Sequence, residues 1–170
     1  MEKRRIPPIE EGRIRLRLIE ETDLPMTLKW RNQDHIRKWF INPEIISTEQ
    51  HWEWFQKYLE RNDDYLFIIE ETRDLQQPIG QISIYNIDWE QRYGEYGRLL
   101  IGEPKARSKG IAKEATRLLL AYAFGQLRFE EIHLVVFDNN EPAIHIYQDI
   151  GFCELSQMDR LKTMSIFKKN

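Results

Sequence analysis

The stretch RSKGIAKEATRLLLAYAF (residues 107–124) joins two cations and a glycine to the start of an apolar helix. Apolar residues recur in it at three- and four-residue spacing, which predicts a helix with one buried stripe. That stripe consists of Ile111, Ala115, Leu118, Leu119 and Tyr122. The segment before it, YGRLLIG (residues 96–102), reads as a strand. The chain therefore predicts a strand-to-helix turn centred on Gly110.

This turn has the composition of a phosphate cradle. A helix start exposes free backbone N–H groups and the positive end of the helix dipole. A glycine allows a phosphate to approach that backbone closely, and Arg107 and Lys109 add charge beside it. The alternative is a simple turn with solvated cations. The stretch is neither a Walker loop nor the G-x-G-x-x-G dinucleotide motif.

The rest of the chain predicts an α+β fold. Apolar alternation and apolar runs predict six further strands, and three further helical segments have cap residues at their starts. We expect Thr22 or Asp23 to cap the first helix, Ser47 and Gln50 to form a capping box, and Asn140 to cap the last helix. The strands are residues 12–20, 65–71, 78–88, 131–137, 151–155 and 162–168, and the helices are residues 21–32, 46–62 and 140–150.

The order of these elements predicts a single domain, residues 1–170, with one mixed, mostly antiparallel central sheet and flanking helices. In the second helical segment, Trp52, Phe55 and Leu59 are predicted to share the buried face. The strand at residues 131–137, EIHLVVF, is predicted to be buried on both faces because its apolar run is nearly continuous.

Composition limits the partners of the protein. The net charge is -3 and the pI is about 5.9, so no broad basic field is available for nucleic acid. No apolar window approaches the ~20 residues of a membrane span, and the charged start has no signal-peptide pattern. A single cysteine, Cys153, fits a reducing cytoplasm. We therefore expect a cytoplasmic protein that binds small molecules, without nucleic acid or membrane.

A second motif follows about thirty residues after the glycine turn. Asn140, Ala143 and Tyr147 share a predicted helix, and Gly151 and Phe152 open the next strand. With the Arg107–Ala112 loop, this arrangement resembles the GCN5-related N-acetyltransferase (GNAT) family, whose signatures are Q/R-x-x-G-x-G/A and N-x-x-A-x-x-x-Y. The resemblance implies the acyl-CoA N-acyltransferase fold, acetyl-CoA as co-substrate and no metal.

The same resemblance implies roles for individual residues. Backbone N–H groups from Ser108 to Ala112 would bind the CoA pyrophosphate, and the end of the preceding strand would pair with the pantetheine arm and offer an N–H to the thioester oxygen. Asn140 would contact the arm. The implied CoA-binding residues are Leu100, Ile101, Gly102, Arg107, Ser108, Lys109, Gly110, Ile111, Ala112 and Asn140.

Transfer of an acetyl group to an amine needs an acid for the leaving thiolate and a route for the amine proton. Tyr147 is the candidate acid, although an aromatic packed at the sheet edge is the structural alternative. Glu95, which leads into the strand before the acyl site, is the candidate base. His51, Glu49 and a chain of waters remain alternatives.

The acceptor side is predicted from an aromatic and cationic cluster, since such residues stack on rings and pair with phosphate. Its residues are Trp30, Arg31, Arg37, Trp39, His51 and Trp52. They resemble the branch of the family that acetylates nucleotide-linked deoxysugars. Other stretches resemble ribosomal-protein N-terminal acetyltransferases.

We therefore expect a monomeric or homodimeric N-acetyltransferase that acts on the 4-amino group of a nucleotide-linked deoxysugar in a ternary complex. Protein N-terminal and aminoglycoside acetylation are the enzymatic alternatives. A non-catalytic acyl-CoA-binding module and an unrelated anion-binding α+β domain are the others.

Overall fold

The computed structural model describes residues 2–170, and its centre is one eight-stranded sheet. The strand order is β1-β2-β3-β4-β5-β6-β8-β7. Every neighbouring pair is antiparallel except β5 and β6, so the sheet is mixed and mostly antiparallel, as predicted. The strands are β1 Ile9–Glu11, β2 Ile14–Leu18, β3 Asp64–Glu71, β4 Gln77–Asp88, β5 Tyr93–Ile101, β6 Glu131–Phe137, β7 Cys153–Met158 and β8 Leu161–Phe167.

Seven of these strands are the predicted ones, and β1 is an addition. The hairpin between β1 and β2 turns at Gly12, whose φ of +60° suits glycine. Alternation along β2 buries Ile14 and Leu16, as the sequence indicates. In β6 the prediction was wrong: only Ile132, Leu134 and Val136 are fully buried, and the other face is half-exposed. That second face lies beside a cleft rather than under a helix.

Five α-helices flank the sheet, and two of the three predicted caps are confirmed. Ser47 Oγ accepts from Gln50 N at 3.1 Å while Gln50 Oε1 accepts from Ser47 N at 2.9 Å. Asn140 accepts from Ala143 N at 3.4 Å. The helices are α1 Leu24–Arg31, α2 Asp34–Arg37, α3 Thr48–Glu60, α4 Ile111–Gly125 and α5 Glu141–Ile150.

The predicted cap of α1 was wrong. A short 3₁₀ turn, Glu21–Asp23, precedes the helix, and Asp23 makes no side-chain cap to α1. Its carboxylate accepts instead from Glu20 N at 2.8 Å and from the Arg17 guanidinium at 2.8 and 2.9 Å. The carboxylate therefore ties β2 to the turn that starts α1.

The predicted buried face of α3 was also wrong. Trp52 and Leu59 are 43% and 46% exposed, whereas Phe55 and Tyr58 are 3% and 2% exposed. The buried side pairs Phe55 with Tyr58 and packs on Leu66 of β3. The buried face of α3 is therefore centred on Phe55 and Tyr58, and Trp52 lies on the side that faces solvent.

The main core lies between the sheet and α4, whose predicted stripe from Ile111 to Leu119 is buried. A smaller cluster fills the opposite face under α1 and α3. Within residues 2–170, no helix combines the length and the apolar character needed to cross a bilayer. The two helical layers leave the far ends of β5 and β6 uncovered, and the cavities described next open there.

Candidate active site

Strands β5 and β6 run together for only three residue pairs and then separate. Their parallel pairing starts at Tyr93 with Glu131 and ends at Glu95 with His133. Both strands continue, to Ile101 and Phe137, without pairing to each other. A wedge therefore opens between two strand ends, and backbone groups of β5 that a neighbouring strand would use face an open cleft. The separation begins well before the predicted site at residues 100–102.

A bulge in β5 shapes this cleft. Gln81 pairs with Leu100 and Ser83 with Gly97, so β5 holds one extra residue in this interval. Arg98 occupies the bulge with φ +54°, and the Gln81 amide donates to its carbonyl oxygen at 3.3 Å. On β4, a Cβ at Gly80 would lie 2.2 Å from the Leu100 carbonyl oxygen, so only glycine permits this strand approach.

The cleft holds a cavity of about 250 Å³ between β5, β6, α2 and α5. Its floor is apolar and its far wall carries two phenols and one amide. The residues along its walls are His35, Ile36, Trp39, Phe40, Tyr96, Gly97, Arg98, Leu99, Leu100, Ile101, Leu134, Val135, Val136, Asn140, Ala143 and Tyr147. A long flexible acyl carrier fits a groove of this form.

Tyr147 brings a protonated phenol into that cleft. The residue is 7% exposed on α5, and its ring meets the rings of Tyr96 and Phe152 edge-on at 5.7 and 5.8 Å. Burial raises the pKa of Tyr147 to about 12, so the O–H group is intact at neutral pH. The neighbouring Tyr96 hydroxyl is already committed at 2.7 Å to Thr116 Oγ. Thr116 in turn donates to Ala112 O at 2.7 Å.

The glycine turn lies between the end of β5 and the start of α4. Gly110 is the N-cap of α4 with φ +76°, and a Cβ built on it would meet no atom within 4 Å. Ser108 is also left-handed, with φ +59°. The N–H groups of Ile111 and Ala112 start the helix and have no intrahelical partner, because the first i→i−4 bond runs from Glu114 N to Gly110 O at 3.1 Å. The turn offers free donors and open space to an anion.

The three cations of the turn differ in their exposure and in their hydrogen bonds. Lys105 and Lys109 are exposed to solvent. Arg107 instead points along the strand end, with Nε 3.3 Å from Ile101 O and one terminal nitrogen 3.3 Å from Gln33 Oε1. Arg13, in the turn between β1 and β2, holds the glycine turn in place, because its guanidinium donates to Lys109 O at 2.5 Å and pairs with Glu114 at 2.9 Å.

A second, larger cavity of about 580 Å³ lies on the sheet face under α1 and α3. Phe40 and Arg98 line both cavities, so the two spaces meet at these side chains. We label this second cavity the acceptor cavity because Arg31 and His51, two of the residues predicted to bind the acceptor, line it, and we label the cleft between β5 and β6 the donor cleft. The other walls of the acceptor cavity are Thr27, Arg31, Asn42, Glu44, Ile45, Ile46, Gln50, His51, Trp54, Leu66 and Gln81. Glu44 provides the carboxylate on these walls, against the two guanidinium groups of Arg31 and Arg98.

Arg31 is a buried cation without a carboxylate partner among residues 2–170. The residue is 8% exposed, and its guanidinium lies 4.0 Å from the centre of the Phe40 ring. One terminal nitrogen donates to Asn42 O, while the other is buried without a hydrogen-bond partner. Burial and the charge of Arg37 lower the pKa of Arg31. Arg31 therefore contributes a cation to the cavity wall, and its unpartnered nitrogen is sealed from solvent.

The other predicted acceptor residues are dispersed. His51 lines the acceptor cavity and Trp39 lines the donor cleft. Trp30 lies in the core, where a Cβ on Gly102 would come within 2.1 Å of its indole. Arg37 pairs with Asp34 at 2.8 Å and donates to Pro43 O at 2.9 Å, so it braces the segment before α3. Trp52 lies outside both cavities.

Glu95 also lies outside both cavities. Glu95 is the last residue of β5 that pairs with β6. Tyr85 Oη donates to its carboxylate at 2.6 Å, and His133 Nε2 lies 3.4 Å from it. Burial acts to raise the pKa of Glu95, but the hydrogen bonds from His133, Tyr85 and Asn86 outweigh it and hold that pKa below its usual range. The structure does not bring Glu95 to the meeting point of the two cavities.

Comparison with known proteins agrees with this geometry. The sequence matches the acetyltransferase (GNAT) domain family over residues 13–153. Spermidine N(1)-acetyltransferase of Escherichia coli strain K12 is 28% identical over 140 residues, covering 82% of this chain and 72% of that protein. The N-acetyltransferase 9-like protein of Caenorhabditis briggsae is 26% identical over 147 residues, covering 81% and 73%.

Among solved structures, spermidine N-acetyltransferase from Vibrio cholerae in complex with CoA and spermine is similar with a TM-score of 0.82 at 25% identity, over 92% of this chain and 96% of that one. The relative's complex with CoA supports acetyl-CoA as the co-substrate here. With its split β5–β6 cleft, glycine turn and buried phenol, the protein belongs to the GNAT acetyltransferase family and is an N-acetyltransferase.

Proposed function

We propose that the protein transfers the acetyl group of acetyl-CoA to the primary amine of an acceptor that also carries an anionic group. Within that class, we propose the 4-amino group of a nucleotide-linked deoxysugar. The observation that carries the proposal is Arg31, a guanidinium in the wall of the acceptor cavity that has no carboxylate partner among residues 2–170. A phosphate or carboxylate of the acceptor would satisfy it.

The shared walls support direct transfer in a ternary complex. An acetyl carrier in the cleft and an amine in the acceptor cavity would meet beside Phe40 and Arg98. Holding both reactants there removes much of the entropic barrier, on the order of 7–11 kcal/mol in favourable cases. The N–H groups of β5 beyond Glu95 would polarise the thioester carbonyl. Tyr147 would donate its proton to the departing thiolate.

The proposed CoA contacts follow the same geometry. The free N–H groups at the start of α4 and the open space at Gly110 would take the pyrophosphate. Exposed Lys109 would add charge near it. The edge of β5 that faces β6 without pairing to it, ending at Leu100 and Ile101, would pair with the pantetheine arm, although the N–H of the following Gly102 is already bonded to Ile79 O at 2.8 Å. Asn140 would contact that arm from the cleft wall.

A polyamine is the second candidate acceptor, because the relatives named above include spermidine acetyltransferases. Glu44 on the cavity wall would pair with an ammonium group. Two guanidinium groups on the same walls oppose a polycation, since like charges in one cavity repel. N-terminal peptides and aminoglycosides are further acceptors for comparison.

The test is a side-by-side kinetic comparison of UDP- and dTDP-linked 4-amino-deoxysugars, spermidine, an aminoglycoside and an N-terminal peptide. We expect the nucleotide sugars to give the highest kcat/KM. In Arg31→Ala, loss of one charge-assisted hydrogen bond of about 1.5–3 kcal/mol raises the acceptor KM by roughly 10- to 150-fold and leaves the acetyl-CoA KM unchanged.

The matched control is Arg61→Ala, because Arg61 forms an exposed pair with Asp63 at 2.8 Å and lines neither cavity. Efficient spermidine acetylation with inert nucleotide sugars would overturn the anionic acceptor. We further propose a cytoplasmic monomer or homodimer. Size-exclusion chromatography with light scattering tests that oligomeric state.

A further inference from the structure

Apart from a chain of waters, three side chains are candidates for the base that takes the amine proton. Their positions relative to the two cavities distinguish them. Glu95 lies outside both cavities. Glu49 lies beside Trp52 in a shallow concavity on the outer surface of α3. His51 alone of the three is part of the acceptor cavity wall. A base must reach the proton it removes directly or through one water, so His51 is the one whose position suits the task.

The tautomer of His51 follows from its hydrogen bonds. Thr27 Oγ lies 3.2 Å from Leu24 O, one turn back in α1, and 2.8 Å from His51 Nε2. A helical threonine hydroxyl can donate its single proton to a carbonyl of the preceding turn, and we infer that Thr27 donates to Leu24 O. Thr27 Oγ therefore accepts from His51, and Nε2 carries the imidazole proton. The lone pair of the ring lies on Nδ1.

The ring is held in one plane with Nδ1 left open. It stacks on Trp54 with centroids 5.5 Å apart and planes 8° from parallel. Within residues 2–170 Nδ1 has no hydrogen-bond partner, yet it is not among the polar atoms sealed from solvent. An oriented imidazole with a free lone pair on a substrate cavity is built to accept a proton.

We propose that His51 Nδ1 is the general base that removes a proton from the acceptor nitrogen, an inference that rests on the proposed acetyl transfer. The nitrogen lone pair forms the N–C bond to the thioester carbonyl carbon, and one N–H proton passes to Nδ1. The C–S bond then breaks, and the thiolate takes the Tyr147 proton. The imidazolium releases its proton to solvent through the cavity mouth, and Tyr147 is reprotonated from solvent.

The charges around the ring favour the neutral base. Arg31 of α1, Glu44 of the segment before α3, and Arg98 of β5 line the same cavity, and Arg98 is itself paired with Asp64. Burial and the charge of Arg31 lower the pKa of His51 below 6.5. The imidazole is therefore neutral at pH 7 and becomes protonated only under more acidic conditions. We expect acetyl transfer to fall on the acid side as His51 takes up its proton.

The first experiment needs no acceptor. Side-chain ¹⁵N NMR of the full chain, with His51→Gln used to assign the signal, reports which ring nitrogen carries the proton. We expect the Nε2–H tautomer and a titration midpoint for His51 below the ordinary imidazole value of 6.5. An Nδ1–H tautomer, or a ring that is protonated at pH 7, would overturn the proposal regardless of which amine is the substrate.

The second experiment is the pH profile of His51→Gln against wild type with the best acceptor. Glutamine can still donate to Thr27, so a merely structural role predicts near-normal rates. A base predicts a kcat loss of about 10²- to 10⁴-fold and loss of the acid limb, with the acetyl-CoA KM unchanged. The control variant His145→Gln should keep the wild-type kcat and the acid limb of the pH profile. Normal kcat and an intact acid limb in His51→Gln would refute the base.

A wild type that is not stabilised by acetyl-CoA and acetylates no amine would count against the proposed function. The NMR result would then still decide the state of His51. Binding and activity assays therefore test the proposed acetyl transfer, and the NMR experiment separately tests the proposed role of His51.

Discussion

The Arg98 guanidinium and the Asp64 carboxylate form a two-pronged ion pair at 2.7 and 3.1 Å across β3 and β5. Asp64 is 1% exposed, and Arg98 also lies 4.2 Å from the centre of the Tyr85 ring. Among residues 2–170, Arg98 is the one cation that lines both the donor cleft and the acceptor cavity, and the pair fixes its position. Its geometry therefore connects the stability of the sheet to the shape of the site.

Removing the cation leaves a buried carboxylate without its partner. We expect Arg98→Met to lower the free energy of unfolding by about 3–5 kcal/mol, measured by urea denaturation at pH 7. The control is Arg61→Met at the exposed Arg61–Asp63 pair, which should cost less than about 1 kcal/mol. Equal losses in the two variants would show that burial of Asp64 does not govern the cost.

Gly110 and Gly12 form a matched pair for testing the pyrophosphate site. Both have positive φ, +76° and +60°, and neither has an atom within 4 Å of a built Cβ. Leucine at either position should destabilise the fold by roughly 1–2 kcal/mol through backbone strain. Only Gly110→Leu should abolish the rise in Tm caused by acetyl-CoA. A full shift in Gly110→Leu would place the pyrophosphate elsewhere.

Tyr147→Phe removes one oxygen from the donor cleft and keeps the ring packing. If the phenol protonates the thiolate, kcat should fall by about 10²-fold or more while the acetyl-CoA KM changes little. Tyr122→Phe is the control, because Tyr122 lies on α4 and lines neither cavity. Unchanged turnover of Tyr147→Phe across the pH range would remove the residue from the chemistry.

Glu71 gives a pH-dependent test of the fold. Its carboxylate accepts from the N–H groups of Leu75, Arg73 and Asp74 at 2.6, 2.6 and 3.1 Å, which holds the pKa of Glu71 below its usual range. A lowered folded-state pKa stabilises the protein above the unfolded value near 4.5, and this stability is lost as the pH falls through the folded-state pKa.

We therefore expect Glu71→Gln to cost about 2 kcal/mol at pH 7 and less at a pH below the folded-state pKa of Glu71, as measured by urea denaturation. The exposed Glu60→Gln is the control and should cost little at either pH. A Glu71→Gln penalty independent of pH would show that charge is not the stabilising feature.

The positions of seven strands along the chain and the glycine turn could be predicted from the sequence because periodicity and caps are local signals. The face of α3 could not be assigned from Trp52, Phe55 and Leu59, since large apolar residues also occur in the spacing of His51, Trp54, Phe55 and Tyr58. That second set has i, i+3, i+4, i+7 spacing and is the buried side. Tertiary packing against β3 decided between the two.

Arg98 was missed at the candidate site for a different reason. In sequence it stands inside an apolar strand, YGRLLIG, and nothing local marks the bulge that turns it toward the cavities. Its partner Asp64 is 34 residues away. Phe40 could not be predicted as a site residue either, because its role depends on its lining both cavities. Contacts between residues far apart in the chain leave no periodic pattern in the sequence from which they could be predicted.

The shared wall of the two cavities has a thermodynamic consequence. Any ligand in the donor cleft that shifts Phe40 or Arg98 also reshapes the acceptor cavity, because those side chains belong to both. Linkage then requires that acetyl-CoA changes acceptor affinity by the same factor by which the acceptor changes acetyl-CoA affinity. Titration calorimetry of each ligand, with and without a dead-end analogue of the other, measures this cooperativity. Phe40 and Arg98 would thereby set how strongly each substrate changes the affinity for the other.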